Sequence, residues 1–180
     1  LRPSTTSAEF TDTTSVKSFD SDGITVGNAG DYNGSGNTYV GWNWIANGAS
    51  TATNTSGTLQ SEVSANTDAG FSICTYTGPS SSQSVNSFGH GLSKAPELVI
   101  VKSRTAAKNW ATFHKDLGAS KALRLNTTEA AISDTFWGSG MTSTLVNLYP
   151  NVSSGSNVDN TTGDLIAFCF HSVEGYSKFG

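Results

Sequence analysis

The chain carries three histidines, His90, His114 and His171, and histidine-based acid–base or metal chemistry would have to be built around them. His90 sits in NSFGHGLSKAPELVIVKSR, residues 86–104, between Gly89 and Gly91 and ahead of Pro96 and an unbroken apolar run. A histidine on a glycine-hinged loop could serve as a general base, a role that needs a nucleophile to activate and a third group to orient the ring. No G-x-S-x-G, H-E-x-x-H or C-x-x-C pattern accompanies it. The plainer reading is a turn: the glycines permit positive φ, the proline ends the loop, and the histidine packs or hydrogen-bonds where a buried strand begins. His114 and His171 fall in or at the end of strand-like runs, without the ligand spacing of a zinc site.

Carboxylates are the next resource. Asp20, Asp22 and Asp31 lie near glycines and could hold calcium in a loop, but they lack the twelve-residue EF-hand register, and surface turns explain them as well. A glycosidase needs two carboxylates flanking a cleft; the acidic residues here stand mostly in turns, with no pair singled out. The expectation is therefore no catalytic residue, no metal and no cofactor. Trp110, Trp137 and Tyr149, with Asn109 beside the first, are candidates for contact with a glycan or a partner, because exposed aromatics with polar neighbours mark such surfaces. Packing in the core is the alternative for each. Cys74 and Cys169 lie inside apolar runs and read as small buried hydrophobes, with a disulfide as the alternative.

The elements that must position these side chains are strands. GITV (23–26), TYVGWNWI (38–45), FSICTYT (71–77), ELVIVKS (97–103), WATFHK (110–115), ALRLN (122–126), STLVNL (143–148) and LIAFCFHS (165–172) are short, β-branched or aromatic, and bounded by Gly, Asn, Ser or Pro. NTTEAAIS (126–133) reads as a short helix or an irregular loop. ELVIV and LIAFCF are apolar at consecutive positions, so both faces should be covered, with Leu98, Ile100, Phe168 and Phe170 buried. In WATFHK, Trp110, Thr112 and His114 share one face and Ala111 and Phe113 the other. With no helices between strands, the expected fold is all-β, an antiparallel jelly-roll-like sandwich.

Domain boundaries follow from composition. Residues 48–69, GASTATNTSGTLQSEVSANTDA, read as a polar linker or long loop, and 70–172 as one complete sandwich. A partial repeat relates 20–46 to 142–171, each ending on alternating aromatics, Trp42 and Trp44 against Phe168 and Phe170. AGFSIC (69–74) is echoed by EGYSKF (174–179), so 173–180 read as the start of a further strand, and 1–47 as the last part of a preceding β-module in a longer chain.

Charged residues are 13% of the chain, about half the usual roughly 25%. Aromatics at 10% and a net charge of only −4 exclude a disordered tail. The acidic balance argues against nucleic acid, since the few basic residues form only a loose cluster from Lys102 to Lys121. The apolar runs LVIV and LIAFCF are far shorter than the ~20 residues a membrane helix needs, so no membrane insertion is expected.

AGFSICTYTG, FGHGLSKAPELVIVKSR, NWATFHKDLGASKALRLNTTEAA, TFWGSG and GDLIAFCFHSVEGYSKFG together resemble a β-rich module of tailed, marine-type phages, found in tail-fibre-like and other virion surface proteins, often after a concanavalin-like jelly-roll module. The resemblance implies a non-enzymatic virion structural protein in a tail fibre, tail appendage or head decoration, acting by assembly and host-surface contact, with no catalytic residues to carry over. It also implies a location at the particle surface, other virion proteins as partners, and a homotrimer, in which neighbours would bury Trp42 and Trp44. The alternative function is a carbohydrate-recognition module binding host envelope glycans, in a virion or a secreted adhesin.

Overall fold

The computed structural model describes residues 1–48, 50–79, 85–149 and 163–180. It divides into two units, one comprising Leu1–Glu9 and Ile45–Gly180, the other Phe10–Trp44. Among the described residues the strands are β1 (Val16–Phe19), β2 (Ile24–Val26), β3 (Ala52–Asn54), β4 (Ser61–Asn66), β5 (Phe71–Thr77), β6 (Asn86–Gly89), β7 (Leu98–Ser103), β8 (Ala111–His114), β9 (Lys121–Arg124), β10 (Ile132–Ser133), β11 (Leu145–Leu148) and β12 (Asp164–Phe170).

The larger unit is an all-β sandwich. Its main layer is an antiparallel sheet of eight strands in the order β10-β9-β8-β7-β12-β5-β4-β3. The pleat puts Val63, Cys74, Ala167, Val101 and Ala111 in one cross-strand row on the inner face, all buried. The second layer is the β6–β11 pair together with the 134–141 loop. It brings Phe88, Val146, Leu148, Phe136 and Trp137 onto that inner face to form one continuous core. Tyr76 stacks on Phe88 with ring centroids 4.5 Å apart, and Trp137 meets Phe113 edge-on at 5.7 Å and Phe136 at 4.7 Å. Such offset and edge contacts add to the area that aromatic burial removes from water.

The next cross-strand row, Ser64, Ile73, Phe168, Ile100 and Thr112, points the other way. Among the described residues no second sheet covers this outer face. Three chain segments cross it instead. Thr5 accepts from the Trp110 indole at 3.0 Å and Thr6 from Lys102 at 3.2 Å. The Asn47 amide donates to Ser64 at 3.0 Å, and Asn66 donates to the Ile45 carbonyl at 3.2 Å. Phe179 lies against Phe170, 5.3 Å between centroids. The cover is partial, so Leu98, Ile100 and Phe168 are half-buried rather than buried as their unbroken apolar run predicts; only Phe170 of that set is buried.

Three further expectations are corrected. Residues 48–69 are not a linker: they supply β3 and β4, with Ser61 and Val63 turned into the core and Glu62 turned out. Small polar residues on a strand mimic loop composition, which hides such strands. The tail 174–179 does not start a strand; it turns back through Val173–Ser177 hydrogen bonds and sets Phe179 on the sheet. The run 38–45 carries no strand, so it is not the equivalent of LIAFCFHS, which contains the central strand β12. The loop of the second repeat, 150–162, lies outside the described residues. NTTEAAIS forms an irregular loop that ends in β10.

The smaller unit is a β1–β2 hairpin, a one-turn helix at Gly30–Asn33 and the irregular 34–44 segment. Asp20 holds the hairpin turn, accepting from Ser18 at 2.9 Å and Thr25 at 2.7 Å, while its amide donates to the Gly23 carbonyl. Asp12 accepts from the Thr14 amide and the Thr14 and Ser15 hydroxyls, which hold its carboxyl far below the usual range. None of the residues from Phe10 to Trp44 is buried.

Candidate contact surface

His90 is fully enclosed, at the end of β6. Its Nδ1 accepts from the Leu92 amide at 3.1 Å, which leaves Nε2 protonated and donating to the Thr142 carbonyl at 3.2 Å. Burial lowers its pKa to about 4, so the ring is neutral at physiological pH. Gly91, at φ 71°, makes the loop possible; a side chain there would meet Val63 at 2.8 Å. Both ring nitrogens are thus engaged in fixing the turn into the core. His114 accepts from the Asp116 amide at 3.3 Å and starts the short helical turn Lys115–Leu117. His171 is buried beside Gly70, with Nδ1 3.0 Å from the Ser172 carbonyl; its Nε2 has no protein partner among the described residues. No three His, Cys, Asp or Glu side chains converge as metal ligands among the described residues.

Cys74 and Cys169 are free, buried and on the same inner face. Cys74 is opposite Ala167 and Cys169 opposite Ser72, so the two are diagonal neighbours. Diagonal positions lie about 7–8 Å apart at the backbone, beyond comfortable disulfide reach. The neighbouring Cys74 thiol and burial push the Cys169 thiol well up.

The structure separates the four residues proposed for surface contact. Trp137 is fully buried in the inner core. Trp110 is buried under residues 5–6 on the outer face, and Asn109 is held by the Asn126 amide at 2.8 Å. Neither indole offers a free ring face to a ligand, so core packing accounts for both. Only Tyr149 is exposed. Strand-like runs do not disclose which of their faces will find a cover, and that is why the choice between core and contact stays open in the sequence.

Exposed aromatics are concentrated elsewhere. Phe19 is 81% exposed and Trp42 75%, and Tyr39, Val40, Trp44 and Ile45 are exposed as well. From Thr38 to Trp44 the backbone makes no backbone–backbone hydrogen bond among the described residues. Strand propensity in the sequence finds this run; that it forms no strand is visible only in the structure.

A second surface feature is a cleft of about 270 Å³ on the outer face of the sandwich, bounded by Gln60, Glu62, Thr75, Thr77, Asp164 and Arg104. Glu62 accepts from Thr53 at 2.7 Å, and Asp164 from Thr77 at 3.0 Å. Arg104 is forked onto Glu9 at 2.5 and 3.1 Å, which raises the guanidinium pKa and lowers that of the carboxylate. Ser61 and Tyr76, both buried, also line the cleft.

One family model matches the chain over residues 1–180. The chain belongs to the family described as a domain of unknown function, DUF7483. No curated protein and no solved structure matches this DUF7483 chain.

Proposed function

We propose that this chain is a non-enzymatic structural module of a phage virion, in a tail fibre, tail appendage or head decoration, that works by assembly and by contact with the host surface. The observation that carries the reading is the Phe10–Trp44 unit, which has a hairpin, several large aromatics and no buried residue. A unit below about 40 residues rarely closes a core unless disulfides, metals or partners complete it. Each large aromatic taken out of water contributes on the order of 2–3 kcal/mol, so a neighbour that covers Phe19, Val40 and Trp42 is strongly favoured. The resemblance of the sandwich to virion surface modules supplies the setting: other virion proteins as neighbours, and a homotrimer as the assembly. Mass photometry and sedimentation of the full chain test it. Trimers are expected, with tryptophan emission shielded from iodide as they form; a chain that stays monomeric at micromolar concentration overturns the reading.

The polar cleft favours a second reading, recognition of host envelope glycans, because carboxylates, hydroxyls and an amide can pair with sugar hydroxyls. Glycan-array binding that Asp164→Ala abolishes is the expected result under this reading, and an array without signal removes it.

A further inference from the structure

The cleft on the outer face is lined by one cation, Arg104, and two carboxylates, Glu62 and Asp164. Glu9 does not line it, yet both of its carboxylate oxygens lie on the Arg104 guanidinium, at 2.5 and 3.1 Å. The backbone fixes this arrangement as well. The Glu9 amide donates to the Arg104 carbonyl at 2.7 Å, and the Arg104 amide donates to the Asp164 carbonyl at 2.8 Å. Further along the same N-terminal segment, the Thr5 and Thr6 carbonyls accept from Trp110 and Lys102. The Glu9 carboxylate, and more weakly Asp164, raise the guanidinium pKa. Glu62 and Asp164 accept from the Thr53 and Thr77 hydroxyls, and neither is in an ion pair among the described residues. Glu9, Glu62 and Asp164 against Arg104 give the site a formal charge of −2.

We propose, resting on the glycan reading of this cleft, that Glu9 sets its charge selectivity: the cleft takes uncharged sugars and rejects those that bear carboxylate groups. Arginine is the side chain best shaped to hold an acidic sugar, because its fork matches a carboxylate. Here the protein's own carboxylate already fills that fork. A ligand carboxylate that competes for Arg104 has to displace Glu9, and it then meets Glu62 and Asp164, like charges that repel it. The hydroxyls of a neutral sugar face no such barrier. They can donate to Glu62 and Asp164 and pair in either sense with Thr75, Thr77 and Gln60, which line the same cleft. The fork is within reach of a ligand, since the Glu9 side chain is 44% exposed and that of Arg104 36%. An ion pair so exposed adds little to stability; its larger effect is on the charge that the cleft presents. Selectivity then comes from a repulsion built against the wrong ligand as well as from attraction for the right one.

The test uses the full chain on an array in which each uronate-bearing oligosaccharide stands beside its carboxyl-reduced, uncharged counterpart. The readout is the ratio of acidic to neutral binding within each pair. In the parent the neutral member should bind at least about tenfold more strongly. Glu9→Gln keeps a carbonyl for Arg104 but leaves the guanidinium charge uncancelled, and should raise the ratio about tenfold. Glu9→Asp keeps the charge and should leave the ratio as in the parent, which separates charge from any disturbance of the N-terminal segment. Raising salt should narrow the parent's preference, because exposed charges are screened. Circular dichroism and melting verify folding; if Glu9→Gln unfolds, Glu9→Ala, which retains the backbone bond to Arg104, is read in the same way. A parent that binds acidic members as well as neutral ones, or a folded Glu9→Gln with the parent's ratio, overturns the inference and leaves the glycan reading standing. An array without signal in the parent overturns both.

Discussion

The Lys102 ammonium donates to the carbonyl of Thr6, 96 positions earlier in the chain, at 3.2 Å. It also donates to Ser103 at 2.8 Å and Ala106 at 3.2 Å. Lys102 is fully buried, and burial lowers its pKa from the ordinary lysine value. Three donors meet three carbonyls, which is how a lone cation is accommodated away from water. Lys102→Met leaves those carbonyls without their donor. The expected cost is about 2–4 kcal/mol in urea unfolding, with faster amide exchange over residues 5–9. Unchanged stability and exchange would show that the N-terminal segment is held by other contacts.

Acid should weaken the fold through His90. Its folded pKa of about 4 lies below the ordinary 6.5. The unfolded chain therefore takes up a proton first as pH falls. Stability from this group is fully present above about pH 6.5 and is lost progressively down to about pH 4, by roughly 3 kcal/mol in all. Denaturant titrations at a series of pH values check it. His90→Gln, which cannot titrate, should show a shallower acid limb than the parent, even if it is less stable at neutral pH.

Gly70 has φ 65°, and a Cβ there would lie 2.5 Å from the His171 carbonyl oxygen and 2.9 Å from its ring. Gly70→Ala therefore combines left-handed strain of about 1–2 kcal/mol with overpacking of about 1–3 kcal/mol. A loss of roughly 2–5 kcal/mol in unfolding free energy is expected from the sum of the two. A loss below about 1 kcal/mol would mean that the β4–β5 turn and His171 shift apart easily.

Neither thiol should react with a disulfide reagent in the native chain, and both should react once the chain is unfolded in guanidinium. Cys74 and Cys169 are wholly buried, and the Cys169 thiol is pushed up, so thiolate is scarce. Non-reducing electrophoresis should show no internal disulfide, and rapid native labelling of either would contradict the burial.

Strands β5, β7 and β12 are legible in the sequence because a run such as FSICTYT or LIAFCF suits a sheet wherever it lies. Strands β3 and β4 are not, since Thr53, Glu62, Ser64 and Asn66 are also loop residues and only the register reveals Val63 facing in. The run 38–45 shows the opposite failure: strand propensity measures fit to a neighbouring strand, and this one finds none within the described residues. The burial of Trp110 depends on residues 5 and 6, more than a hundred positions away, and no local pattern encodes that contact.

The segments that cross the outer face have a mechanical consequence. The N-terminal segment is fixed to the Arg104 end of β7, through the Glu9 amide and the Glu9–Arg104 fork. The C-terminal tail leaves from the Phe170 end of β12, which is paired with Leu98 at the opposite end of β7. Tension applied between the two tails therefore pulls the neighbouring strands β7 and β12 past one another. The hydrogen bonds between them are loaded together, in shear, rather than opened one after another from an end. While the Glu9–Arg104 contacts hold, the sheet is therefore expected to resist stretch as one unit.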